Sequence, residues 1–150
     1  KFVIVINQKH FIMKSKLVLA FLMSILSLSI FAQMSISTNL RQDATWDEEN
    51  EEWIITSTNE EELTFFEFNK DFTMFKHTTA TITSAYIIKS HEYDEENERY
   101  ECDIVSDVGN KYFMIIDLKG ENIRFLADRE NGSYLVQHSI KRIWFDEEDE

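Results

Sequence analysis

The feature that most restricts this chain is a two-residue apolar period that recurs along its second half, interrupted only by short gaps. In Lys111–Asp117, Tyr112, Met114 and Ile116 share one face, and Phe113 and Ile115 the other. Ile123, Phe125 and Ala127 alternate with Asn122, Arg124 and Leu126, and Tyr134, Val136, His138 and Ile140 with Leu135, Gln137 and Ser139. Successive side chains of a strand point to opposite faces, so this period predicts half-buried β-strands. Leu63–Phe68, Phe72–His77 and Ile82–Tyr93 add runs rich in aromatic and β-branched residues, which suit a pleated surface. After residue 33 no apolar face recurs at helical spacing. Only Tyr134–Phe145 leaves a short helix open as an alternative.

The gaps are turns. The three glycines sit in Val108-Gly109-Asn110, Lys119-Gly120-Glu121 and Asn131-Gly132-Ser133, where glycine would supply the positive φ of a hairpin. Gaps this short hold no crossover helix, so the strands should pair antiparallel in sequence order. An internal echo points the same way. Trp46-Asp47-Glu48-Glu49-Asn50-Glu51-Glu52-Trp53 returns as Tyr93-Asp94-Glu95-Glu96-Asn97-Glu98-Arg99-Tyr100. Each reads as an acidic hairpin tip with an aromatic pair across the strands, worth roughly 0.2–1 kcal/mol, and with asparagine taking the left-handed conformation. Eight or nine strands follow, near 36–46, 53–58, 62–68, 72–78, 82–93, 99–106, 111–118, 122–127 and 134–144. The expected fold is all-β: an antiparallel up-and-down meander forming a closed or partly open barrel, with a β-sandwich as the alternative.

The first 32 residues are expected to lie outside that domain. Met13 opens a stretch in which Lys14 and Lys16 precede fifteen apolar residues and serines, Leu17 to Phe31, followed by Ala32. This is the layout of a secretory signal peptide, and fifteen residues rise only ~22 Å as a helix, short of a ~30 Å hydrocarbon core. The run is similar to signal peptides of Gram-negative bacteria that end in Phe-Ala-Gln. No cysteine follows it for lipidation. The expected division is upstream translated sequence over 1–12, signal peptide over 13–32, one β domain over 33–145 and an acidic tail over 146–150. A periplasmic or secreted protein is expected, with no membrane insertion after cleavage.

Charge narrows the partners. The chain has 28 acidic and 15 basic residues. Four of the basic residues and none of the acidic ones precede residue 33, so residues 33–150 carry a net of −17. That argues against nucleic acid and anionic lipid as partners. The acids cluster as Asp47–Glu52, Glu60–Glu62, Asp94–Glu98 and Asp146–Glu150, read as solvated tips and a tail. Asp47, Glu49 and Glu51 alternate like a calcium loop but lack its central glycine and its twelfth-position glutamate. Only weak calcium association, on the order of millimolar, is expected there.

The order of elements resembles the small secreted lipocalin-like, calycin-type β-barrel proteins of bacteria. The residues that carry this are Trp46 or Trp53, then Leu63-Thr64-Phe65-Phe66-Glu67-Phe68-Asn69-Lys70-Asp71-Phe72-Thr73-Met74, then Tyr86-Ile87-Ile88. Ala44-Thr45 stand where many lipocalins have Gly-x before the tryptophan, and Phe72 stands where a turn glycine often follows the aspartate. The resemblance implies a barrel with a cavity for an apolar ligand and transfers no site residue.

No catalytic, cofactor-binding or metal-binding set emerges from motifs. The sole cysteine, Cys102, shares a face with Tyr100 and Ile104 and reads as core. There is no Gly-x-Ser-x-Gly elbow and no phosphate loop. His77, His91 and His138 lack metal-ligand spacing, and only convergence across strands would bring them together. The expectation is a non-enzymatic exported module holding a small apolar ligand. The alternative is an acidic envelope or extracellular protein that binds a basic partner.

Overall fold

The computed structural model describes residues 33–130 and 132–146; the expected upstream segment, signal peptide and residues 147–150 of the tail lie outside the described residues. Eight strands follow in order: β1 (Gln33–Asp47), β2 (Glu52–Phe68), β3 (Met74–Thr78), β4 (Thr83–Asp94), β5 (Arg99–Ser106), β6 (Lys111–Asp117), β7 (Asn122–Arg129) and β8 (Gly132–Asp146). Each pairs antiparallel with its sequence neighbours, and β1 also pairs with β8, so the sheet closes into a barrel. Closure excludes the sandwich, and Tyr134–Phe145 lies in a strand rather than a helix. The expected segments 53–58 and 62–68 are one strand, β2, which makes eight rather than nine.

The predicted alternation selects the inward residues. Cys102, Ile104, Met114, Ile116 and Ile123 are fully buried, as are Phe66, Phe68 and Phe75. Burying each of the isoleucine, methionine and phenylalanine side chains contributes about 1.5–3 kcal/mol. The Phe75 ring stacks on Tyr86 at 4.7 Å, and Phe66 lies 6.0 Å from Phe125. Met34, Phe68 and Phe72 join this cluster.

The acidic echo forms two matched hairpins. Trp46 faces Trp53 with ring centroids 5.4 Å apart, and Tyr93 faces Tyr100 at 4.6 Å. In each, the leading aspartate caps the turn: Asp47 accepts from the Glu49 and Asn50 amides, Asp94 from those of Glu96 and Asn97. The left-handed residue is not the asparagine but the glutamate after it, Glu51 and Glu98, both at φ 52°. Asparagine instead donates its side-chain amide to the aspartate. A third hairpin repeats this plan: Asp117 accepts from the Gly120 amide, and Glu121 takes φ 51°. Gly109 and Gly132 adopt the expected positive φ, whereas at Gly120 that conformation passes to Glu121.

In the β2–β3 turn, Asn69 accepts from the amides of Thr73 and Met74. Phe72 holds φ 51° there. A left-handed conformation costs an ordinary residue roughly 1–2 kcal/mol. Burial of the ring offsets this, packed 5.2 Å from Phe68 and 5.1 Å from Tyr100.

Candidate functional site

The meander sets the β1–β2, β3–β4, β5–β6 and β7–β8 turns at one end of the barrel and the other three turns at the opposite end. The phenylalanine-rich cluster fills the interior towards the β2–β3 turn. Towards the other end the lumen holds a cavity of about 160 Å³, lined by Arg41, His77, Tyr86, Tyr112, Phe125, Arg129, Tyr134, Val136 and His138. Tyr86, Tyr112 and Tyr134 lie near the ends of β4, β6 and β8 that face this opening.

A break in strand phase positions the polar groups. Pairing between β1 and β2 shifts register between Thr38 and Leu40, opposite Thr64 and Glu60, and β8 shifts beside the same residues. Leu63 takes φ 56° at this level. Below the break the inward residues of β2 are Thr64, Phe66 and Phe68; above it they are Glu61 and Ser57. On β1 the inward set changes from Ile36 and Thr38 to Arg41 and Asp43. Bulges of this kind re-aim side chains and bend the sheet. The Glu60–Glu62 run is therefore no solvated tip. It lies within β2, and its middle residue enters the lumen.

Two polar groups result. In the first, Glu61 Oε2 accepts from Thr38 Oγ1 at 2.7 Å and lies 2.9 Å from His138 Nδ1. The ring of His77 stacks on Phe66 at 4.3 Å and meets His138 edge-on at 5.3 Å. His77 Nε2 is buried and has no hydrogen-bond partner. One ligating atom each from Glu61, His77 and His138 falls within 4.8 Å of the others. Burial, then the neighbouring His138, drives His77 down to about 4, with the Glu61 charge opposing. Burial alone would raise the Glu61 carboxyl, but the bonds from His138 and Thr38 outweigh it and hold the group below its ordinary range.

In the second group, Arg41 lies 2.7 Å from Asp43, which also accepts from Ser57 at 2.7 Å and from the Tyr134 hydroxyl. Burial pushes Asp43 up, and these three donors pull it further down, so it too sits below the ordinary carboxylate range. Arg129 stacks its guanidinium over Tyr134 at 4.6 Å.

There is also a lateral approach. β2 pairs with β3 only over Phe65–Phe68. Beside the rest of β2, a cavity of about 530 Å³ opens between Asn59–Glu62 and the Thr79–Thr81 turn. Arg41 and Glu61 line it.

Of the three histidines considered from sequence, His77 and His138 converge, while His91 sits towards the opposite end beside Phe72. Cys102 is fully buried, and burial raises its thiol to about 12. Glu61, Thr38, Arg41, Asp43 and Tyr134 escaped sequence reasoning. The only local trace was three consecutive acids without glycine between two strand-like runs. The two acidic tips lie at opposite ends, Asp47–Glu52 beside the cavity mouth and Asp94–Glu98 beyond the packed core, so they form no common docking face. Compared with known proteins, the chain matches no family model, no curated protein and no solved structure.

Proposed function

We propose that this is an exported, lipocalin-like, non-enzymatic binding protein that takes a small aromatic or acyl anion into the polar end of its barrel. The observation that carries the reading is the wall of the 160 Å³ cavity. It presents nitrogen donors from Arg41, Arg129, His77 and His138 and aromatic faces from Tyr86, Tyr112 and Phe125; no carboxylate is among its lining residues, Asp43 and Glu61 being engaged with Arg41, Tyr134 and His138. A dry apolar cavity of about 150 Å³ accommodates benzene, which sets the size of the ligand. A charged headgroup is favoured over a wholly apolar ligand because side chains already fill the apolar part of the lumen. The leader-like Met13–Ala32 segment supports export. The strand order and the Leu63–Met74 stretch support the lipocalin-like reading.

Titration with benzoate, followed by calorimetry and thermal melting, tests this. Benzoate should bind with 1:1 stoichiometry and raise Tm. Replacing Arg129 by Met should weaken it roughly tenfold or more, the equivalent of one charge-assisted hydrogen bond of about 1.5–3 kcal/mol. If neither benzoate nor short aliphatic carboxylates bind at millimolar concentration, or if toluene binds as tightly as benzoate, the anion reading fails.

A further inference from the structure

We propose that Glu61, His77 and His138 form a binding site for a divalent transition-metal ion of the zinc type at the floor of the cavity. The inference does not depend on the anion reading, since the ion would be held whether or not an organic ligand enters.

The donor set comes first. Two imidazoles and one carboxylate suit Zn²⁺, Co²⁺ or Ni²⁺, whereas Ca²⁺ and Mg²⁺ prefer oxygen alone. The three residues come from β2, β3 and β8, and barrel closure brings them together. Their ligating atoms lie within 4.8 Å of one another. A tetrahedral ion with bonds near 2.0–2.1 Å holds its ligands roughly 3.4 Å apart. The longest separation must therefore shorten by about 1 Å or a little more, and the 2.9 Å Glu61–His138 contact must open by about half an ångström, both within the reach of side-chain rotation.

The unpaired nitrogen comes second. His77 packs on Phe66, but its Nε2 is buried without a hydrogen-bond partner, and the residue lies beside the Glu61–His138 pair. Buried polar atoms are nearly always satisfied, so an orphan next to two other ligating groups points to a missing partner. A bound cation supplies it and takes the place of the hydrogen that now bridges His138 and Glu61.

Support around the ligands comes third. Thr38 Oγ1 fixes the Glu61 carboxylate at 2.7 Å, the outer-shell bond that metal-binding carboxylates commonly receive. Phe66 stacks under His77 and meets His138 edge-on at 5.2 Å, holding both rings. Three protein ligands leave a coordination position open, and the neighbouring cavity gives it room.

The test uses the untagged full chain, metal-stripped, in a buffer without carboxylates. Zn²⁺ should bind one per chain with micromolar or tighter affinity by calorimetry and raise Tm. Co²⁺ should give visible d–d bands of a four- or five-coordinate nitrogen–oxygen site. In long-range nitrogen–proton spectra of the wild-type chain, Zn²⁺ should shift the ring signals of His77 and His138 and leave those of His91 in place. His77→Phe, which keeps the stack on Phe66, should weaken Zn²⁺ at least thirtyfold, and excess Ca²⁺ should not compete. The proposal is overturned if Zn²⁺ leaves the His77 and His138 signals unmoved, if His77→Phe binds as the parent does, or if Ca²⁺ displaces the ion. Any Zn²⁺ that binds in those cases is held by the acidic surface instead.

Discussion

Asp43 shows how one side chain can organise the mouth of this barrel. It is partly buried, which alone would favour its neutral form, but Arg41, Tyr134 and Ser57 all donate to it. The donors win, and its folded value lies below the unfolded one near 3.9. The sign of the pH effect follows. A carboxyl depressed on folding adds stability that is present above the unfolded value and is lost as pH falls through the folded value. Asp43→Asn should therefore destabilise the barrel by about 2 kcal/mol at pH 7, the usual range for bonds to a charged group. The gap from the parent should close towards pH 3. Denaturant unfolding at both pH values checks this, and a gap that is constant with pH would remove the charge from the explanation. The sequence gives no hint of Asp43, because its three donors come from β1, β2 and β8 and meet only on closure. Cys102 is the opposite case. Its neighbours Tyr100 and Ile104 mark its face by simple alternation, and it is fully buried.

Three hairpins rest on one device, an aspartate at the strand end and a left-handed glutamate four residues later: Asp47 and Glu51, Asp94 and Glu98, Asp117 and Glu121. The first two were legible as an echo because aromatic residues bracket them; the third lacks those brackets and carries Gly120. The aspartate supplies the turn's hydrogen bonds, so the glutamate's side chain is not what the turn requires. Replacing Glu51 or Glu98 by Gly relieves a conformation costing about 1–2 kcal/mol and restores about 0.4–1 kcal/mol of unfolded-chain entropy. Each variant should gain roughly 0.5–1 kcal/mol, and the pair should be additive, since the two turns lie at opposite ends of the barrel. Asp94→Ala should instead lose about 1 kcal/mol. Melting of the four variants against the parent decides the matter, and a loss of stability in Glu51→Gly would show that the side chain itself matters. Periodicity could not reveal the phase break at Thr38–Leu40 and Leu63. A two-residue pattern assumes an unbroken register, and one shift exchanges inner and outer faces. That break is why Glu61 looked like surface while it enters the lumen.

At the scale of the molecule, one closed sheet surrounds one aromatic core, and most of the described charge lies outside it. The described residues carry 24 acidic and 11 basic side chains, a net of −13. Folding draws those charges together, so self-repulsion opposes the compact state. Local ion pairs oppose that effect: Arg99 lies 2.6 Å from Glu101, and Arg124 3.1 Å from Asp117. Such partly exposed pairs are each worth about 0–1 kcal/mol, and salt weakens them too. The comparison is then between a few short pairs and a broad excess of one sign. Repulsion across the barrel acts over tens of ångströms, and the screening length drops from about 30 Å at 0.01 M salt to about 8 Å at 0.15 M. The long-range term should therefore be removed more completely than the contact pairs. Tm should rise between 0.01 and 0.15 M NaCl by a few degrees, about 3–5 °C for roughly 1 kcal/mol in a domain of this size. The rise should shrink at pH 4, where many surface carboxyls are neutral. Calorimetric melting at both salt levels and both pH values tests this, and a flat or falling Tm at pH 7 would mean that the ion pairs outweigh the acidic excess.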